Sequence, residues 1–209
     1  MQNKHIYLLG TFLCGVTFSQ NAQAEFSGYI TGASNYLFRG ESQTNNNPAF
    51  QAGLDYEHDS GLYVGAWGSN YKTDDNKNDV ELNWFGGYGF DITDDLYVDF
   101  GVIRYHYVDA GGHTTEWNAN LEYLGLGFSF HYDEHEKQYY YELNYGVEFS
   151  DDFTLDLHAG QKQPNSGKNN YDLGANFNYT LYDTFDLFAG AVYHETSKEA
   201  FIAGVNINF

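Results

Sequence analysis

The side chains most able to do chemistry cluster at His131, Asp133, Glu134, His135 and Glu136. Imidazoles and carboxylates together can ligate a metal ion or act as acid and base in proteolysis. Neighbouring residues of a strand point to opposite faces, so this spacing builds no metal site by itself. A solvated loop is the plainer reading. Ser129 and His131 share one strand face, as barrel phospholipases arrange a serine and a histidine, but no flanking pattern supports such a pair. No enzymatic activity and no cofactor are expected.

A second set of ionisable residues recurs along the whole chain with a period of two. Asp55, Glu57, Glu81, Asp99, Glu122, Glu142, Asp156 and Asp172 belong to it, with Glu116, Glu148 and Asp186. Each sits on the polar face of an alternating segment, so together they form an acidic wall. Gly53, Gly65, Gly87, Gly101 and Gly160 fall on the same face. Two readings of these glycines stay open: they leave room for solvent, or they let strands coil and seat neighbouring rings. Arg39 and Arg104 are the only arginines. Alternation is expected to slip after Val102, where a bulge would turn Arg104 inward. An inward Arg104 among carboxylates either makes a constriction with a transverse field or neutralises part of the wall as an ion pair.

The elements that carry these residues are strands. Phe50, Ala52, Leu54 and Tyr56 alternate with Gln51, Gly53, Asp55 and Glu57. The same pattern recurs through residues 139–149 and 171–179. About twelve such segments are expected: 26–38, 48–58, 62–70, 80–90, 96–107, 116–124, 126–132, 138–149, 153–161, 171–180, 185–194 and 200–209. Short connections such as Asp59-Ser60-Gly61 alternate with longer ones such as Arg39 to Asn47, as in an up-and-down membrane barrel. An even count leaves both termini on the periplasmic side and lets the last strand close on the first. Rings bracket aliphatic residues on one face: Phe185 and Tyr193 around Leu187, Ala189 and Ala191, and Trp117 with Tyr123. Two interfacial girdles explain that sorting, whereas a soluble core has no reason for it. The fold class is therefore all-β, a transmembrane antiparallel barrel over residues 25–209.

Composition narrows the function. Formal net charge is -20, which argues against nucleic acid as a partner. Aromatics at 19% exclude an acidic disordered chain. The apolar run Ile6 to Phe18 after Lys4, followed by Ala22-Gln23-Ala24, reads as a signal peptide cleaved after Ala24. Cys14 lies within it, so no thiol is expected in the mature protein. The C-terminal strand places Phe201, Ala203, Val205, Ile207 and Phe209 on one face. A terminal Phe209 there is expected to serve as the tag for barrel-assembly machinery and its periplasmic chaperones. The expected surroundings are outer-membrane lipid and lipopolysaccharide, the latter met by lysines of the longer loops. That lysine bias equally follows from those loops being longer.

Ser34-Asn35-Tyr36-Leu37-Phe38-Arg39-Gly40, Gly61-Leu62-Tyr63-Val64-Gly65, Trp67-Gly68-Ser69-Asn70 and Phe100 to Tyr107 resemble the TorF family of porins. Glu81 to Gly89 adds to the match, although Asn83 stands where that family has an acidic residue. The resemblance covers the first half of the mature chain and implies a channel-type barrel for small solutes in the outer membrane of a Gram-negative bacterium. A barrel with a plugged lumen and functional external loops is the alternative.

Overall fold

A computed structural model describes residues 25–182 and 184–209, with the short stretches 6–8 and 16–18 ahead of them. Ile6–Leu8 and Val16–Phe18 form a two-stranded ladder separate from the barrel sheet. The rest of the expected signal peptide, with Cys14 and the cleavage position, lies outside the described residues.

Twelve strands close into one antiparallel barrel. They are β1 (Glu25–Ala33), β2 (Ala49–Glu57), β3 (Leu62–Lys72), β4 (Asn78–Thr93), β5 (Leu96–Tyr107) and β6 (His113–Tyr123). The second half holds β7 (Leu126–Asp133), β8 (Gln138–Ser150), β9 (Phe153–Gln163), β10 (Asn170–Tyr182), β11 (Phe185–His194) and β12 (Lys198–Asn208). Each strand pairs with its sequence neighbours, and β12 returns to β1 from Gly204↔Ala33 to Asn208↔Tyr29. Beyond that ladder, Gly28 and Phe209 exchange backbone bonds of 2.8 and 2.9 Å, which carries the seam to the last residue. Closure leaves no unpaired edge. The start of β1 at Glu25 and the last residue, Phe209, lie at the end of the barrel that carries the tight turns, such as Asp94-Asp95 and Asp151-Asp152.

The two faces are inverted relative to a soluble protein. Phe50, Leu54, Val64, Trp84, Phe100 and Leu173 stand exposed on the outer wall. Thr31, Gln51, Ser69, Glu81, Asp99 and Asp172 are buried on the inner one. Such a barrel is stable where the exterior meets hydrocarbon and every backbone group is paired within the sheet. Register irregularities lie between Asp91 and Thr93, Glu148 and Ser150, and Thr180 and Tyr182, all at the tight-turn end. The ladders through Arg104 are continuous on both sides.

The first strand is shorter than its alternation implies. It ends at Ala33 rather than 38, and residues 34–48 do not form an external loop. They fold into the lumen, where Leu37–Phe38 pairs with Glu41–Ser42 as a short hairpin. Its two tip residues, Arg39 and Gly40, both have positive φ (51° and 77°), the pattern of a type I′ turn. Tyr36, Leu37, Tyr29, Trp67, Val192 and Ile202 form the buried apolar cluster that seats the hairpin against the wall.

Candidate functional site

Hydrogen bonds within residues 34–48 set the hairpin's shape. The Tyr36 amide donates to Thr44 Oγ1 at 3.1 Å. The Ser42 and Thr44 hydroxyls donate to Asn35 Oδ1 at 2.6 and 3.0 Å. This hydroxyl–amide network extends the two-pair ladder of the hairpin.

The wall then holds the tip. Arg39 Nη2 donates to Glu116 Oε1 at 2.8 Å, and both side chains are almost wholly buried. Tyr105 donates its hydroxyl to the same oxygen at 3.3 Å, and His131 Nδ1 lies 3.1 Å from it. The guanidinium carbon sits 4.3 Å above the Tyr140 ring and 4.7 Å from that of Phe38. Burial opposes the charge on Arg39, but Glu116 outweighs it and holds the proton above the ordinary range. Two ions leaving water pay a desolvation penalty, offset here by the pair, the hydroxyl and the two rings.

The hairpin crosses the whole lumen. It leaves β1 and anchors on β6 and β7, on the opposite side of a ring of twelve strands. On the way Tyr36 donates to Glu81 Oε2 of β4 at 3.2 Å and meets the edge of Trp67 of β3 at 5.4 Å. Gly40 packs on β10 and β11: a Cβ placed there would lie 2.7 Å from the Asp172 Cβ and 3.0 Å from that of His194.

Beside the tip a second polar network runs along the wall. His158 Nε2 lies 2.7 Å from Asp172 Oδ1 and 3.0 Å from the Tyr140 hydroxyl. Its Nδ1 lies 2.8 Å from Asn144 Oδ1, and Asn144 donates to Glu142 Oε1 at 2.7 Å. Toward the tight-turn end the wall continues with Asp55, Glu57, Asp99, Glu122 and Asp156. Asn120 and Asn178 are hydrogen-bonded to Asp99 and Asp156.

Every carboxylate expected on the inner face is placed there by strand parity: Asp55, Glu57, Glu81, Asp99, Glu122, Glu142, Asp156 and Asp172, with Glu116, Glu148 and Asp186. Arg104 is not. The ladder on either side of it keeps alternation intact, so Arg104 faces outward, opposite Trp84 and Thr115. Ile103, whose apolar side chain made the parity look broken, points inward as the cross-strand partner of Phe85. The arginine inside the lumen is Arg39, which the chain delivers from a segment that reads as a loop.

Several inner glycines seat rings. A Cβ at Gly53 would overlap the Tyr29 ring, one at Gly65 the Phe85 ring, and one at Gly160 the Tyr140 hydroxyl. These positions fill the interior rather than widen it. The acidic-histidine stretch disperses. His131 joins Glu116, while Asp133 Oδ1 accepts from the amides of His135 and Glu136 at 2.8 and 2.9 Å. Glu134 turns outward and accepts from Trp117 Nε1 at 2.7 Å. Among the described residues no group of three His, Cys, Asp or Glu side chains is placed to hold a metal ion.

Comparison with known structures places the fold among outer-membrane porins. The KdgM porin matches with a TM-score of 0.67 at 8% identity, covering 88% of this chain and 99% of that one. The NanC porin gives 0.63 at 11%, covering 86% and 98%. Omp33 of Acinetobacter baumannii gives 0.56 at 10%, covering 91% and 100%. No curated protein matches the sequence. A family model matches residues 19–202, nearly the whole barrel, and the chain therefore belongs to the family described as bacterial protein of unknown function, Gcw_chp.

Proposed function

We propose that this protein is a porin-like channel in the outer membrane of a Gram-negative bacterium, passing small solutes by diffusion with a preference for cations. The observation that carries the reading is the inverted barrel: an acidic, hydrogen-bonding interior inside an apolar outer wall. Trp67 Nε1 and Asn83 Oδ1 face that interior, buried and without a hydrogen-bond partner among the described residues. Groups of this kind suit solvent or a passing solute better than a sealed core. The porin likeness of the fold and the resemblance of the first half to the TorF family support the same reading.

The hairpin makes the channel narrow at the long-loop end, which in this reading is external, with both termini in the periplasm. One solved KdgM structure is described as a complex with disordered oligogalacturonate. A polyanion of that kind suits this acidic lumen poorly, so small cations and neutral solutes are the proposed cargo. Phe209, on the strand that closes the seam, is the proposed signal to the barrel-assembly machinery and chaperones, and outer-leaflet lipid the proposed surroundings.

The hairpin's span of the lumen favours one second reading, a barrel closed by its own inserted segment. Single-channel recording of refolded protein in a planar bilayer separates the two. Steady conductance of the wild type supports the channel. Silence of the wild type, with conductance appearing in a variant whose residues 35–46 are replaced by a tight turn, supports the closed barrel.

A further inference from the structure

Of the two arginines, Arg39 is buried in a pair and Arg104 stands exposed on the outer wall. Below Arg104, the outward row of β5 is Phe100 and Val102. An arginine in such a row is costly at the bilayer midplane and tolerated near the interface. Arg104 Nη1 donates to Thr115 Oγ1 at 2.5 Å. Among the described residues it belongs to no ion pair.

The surroundings fix its height. Trp84 is its direct partner across β4 and β5, and Trp117 lies opposite Val102. Both indoles are about half exposed on the outer wall, at 57% and 51%. Tryptophan settles at headgroup level, so Arg104 stands at that level and not in the hydrocarbon. One step nearer the long-loop end, His106 and His113 are direct cross-strand partners on the same outward face, both exposed. Two neighbouring strands thus present a guanidinium and two imidazoles on one patch of outer wall. The outward carboxylate nearby, Glu134, is engaged by Trp117.

We propose that Arg104, His106 and His113 bind the phosphate of an outer-leaflet lipid against the barrel wall. The inference rests on the outer-membrane reading above. Guanidinium offers paired donors that match two phosphate oxygens, and the imidazole N–H groups reach a third. The sheet separates the patch from the acidic lumen, so a bound anion meets the hydrogen-bond donors of the patch, while the wall carboxylates point the other way.

The test uses the whole protein in a non-ionic, phosphate-free detergent, with adducts counted by native mass spectrometry. It is titrated separately with diphosphorylated lipid A, dephosphorylated lipid A and inorganic phosphate. The expected result is a lipid A adduct that requires the phosphates and weakens about tenfold or more in Arg104→Gln and in the double variant His106→Gln, His113→Gln. Arg104→Lys, which keeps the charge and loses the fork, should fall between and replaces Arg104→Gln if that variant fails to refold. Equal adducts on wild type and variants overturn the site. Equal binding of dephosphorylated lipid A overturns the phosphate as the recognised group, and equal binding of inorganic phosphate overturns the lipid as the ligand. Failure of the membrane reading shows separately, as wild-type protein that stays monomeric and soluble without detergent.

Discussion

Arg39 and Glu116 form the contact on which the geometry of the lumen depends. The carboxylate oxygen Oε1 takes the guanidinium, the Tyr105 hydroxyl and His131 Nδ1 together. Replacing one partner of a buried pair leaves the other charge uncompensated, a loss of about 3–5 kcal/mol where the structure cannot relax. Here it can relax, because the hairpin is joined covalently to the barrel only through Ala33 and Ala49 and its other wall contacts can shift. Arg39→Ala and Glu116→Gln are therefore expected to release the hairpin rather than unfold the barrel. The expected outcome is a larger and noisier single-channel conductance in both variants, with the double variant no worse than the stronger single one. Conductance equal to wild type in all three would mean that the pair does not limit the path.

At the scale of elements, the hairpin depends on its tip. Gly40 has φ 77° and approaches the Asp172 Cβ, so Gly40→Val is strained by backbone and neighbour alike. The variant should displace the tip and expose the bond after Arg39 to trypsin, which the buried wild-type Arg39 resists. Mass spectrometry of the digested, membrane-inserted protein checks this, and an uncut Gly40→Val would show that the tip holds without its turn. The seam gives a second test. Deleting Phe209 removes its two backbone bonds to Gly28, whereas Phe209→Ala keeps them and loses only the ring. If closure governs assembly, the deletion should reduce heat-modifiable, inserted protein far more than the alanine. Equal defects would point to recognition of the ring.

These elements also mark what a sequence of this kind makes readable. The strands were legible because one face meets lipid and the other a polar lumen, which imposes strict alternation. The wall carboxylates followed from the same parity. The hairpin was hidden for the same reason: Tyr36 and Phe38 extend the alternation of β1, and composition does not distinguish a ring facing lipid from one packed on Trp67 or Tyr105. The Arg39–Glu116 pair spans 77 positions with no local signal. Arg104 misled because Ile103 is apolar on the inner face, where Phe85 pairs with it.

At the scale of the whole molecule, the proposed channel function predicts that charge decides what the barrel admits. The net charge is -20, and strand parity turns Asp55, Glu57, Asp99, Glu122 and Asp156 toward the lumen. Arg39 does not offset them, because Glu116 already balances it at the hairpin tip. Carboxylates around a confined path of low-dielectric wall raise the local concentration of cations and exclude anions. Reversal potentials across a salt gradient should therefore show cation preference in the wild type. The preference should weaken as salt shortens the screening length from about 10 Å at 0.1 M to about 3 Å at 1 M. Glu122 and Asp156 lie on strands β6 and β9 and line one recess of the lumen with Asn120, Ser129 and Asn144. The double variant Glu122→Gln, Asp156→Asn removes two charges from that recess without adding bulk, so it should lower cation preference while conductance at high salt changes little. The hairpin lies toward the other end of the barrel, so its variants should alter conductance more than selectivity. Anion preference in the wild type would mean that ions do not pass along the carboxylate wall.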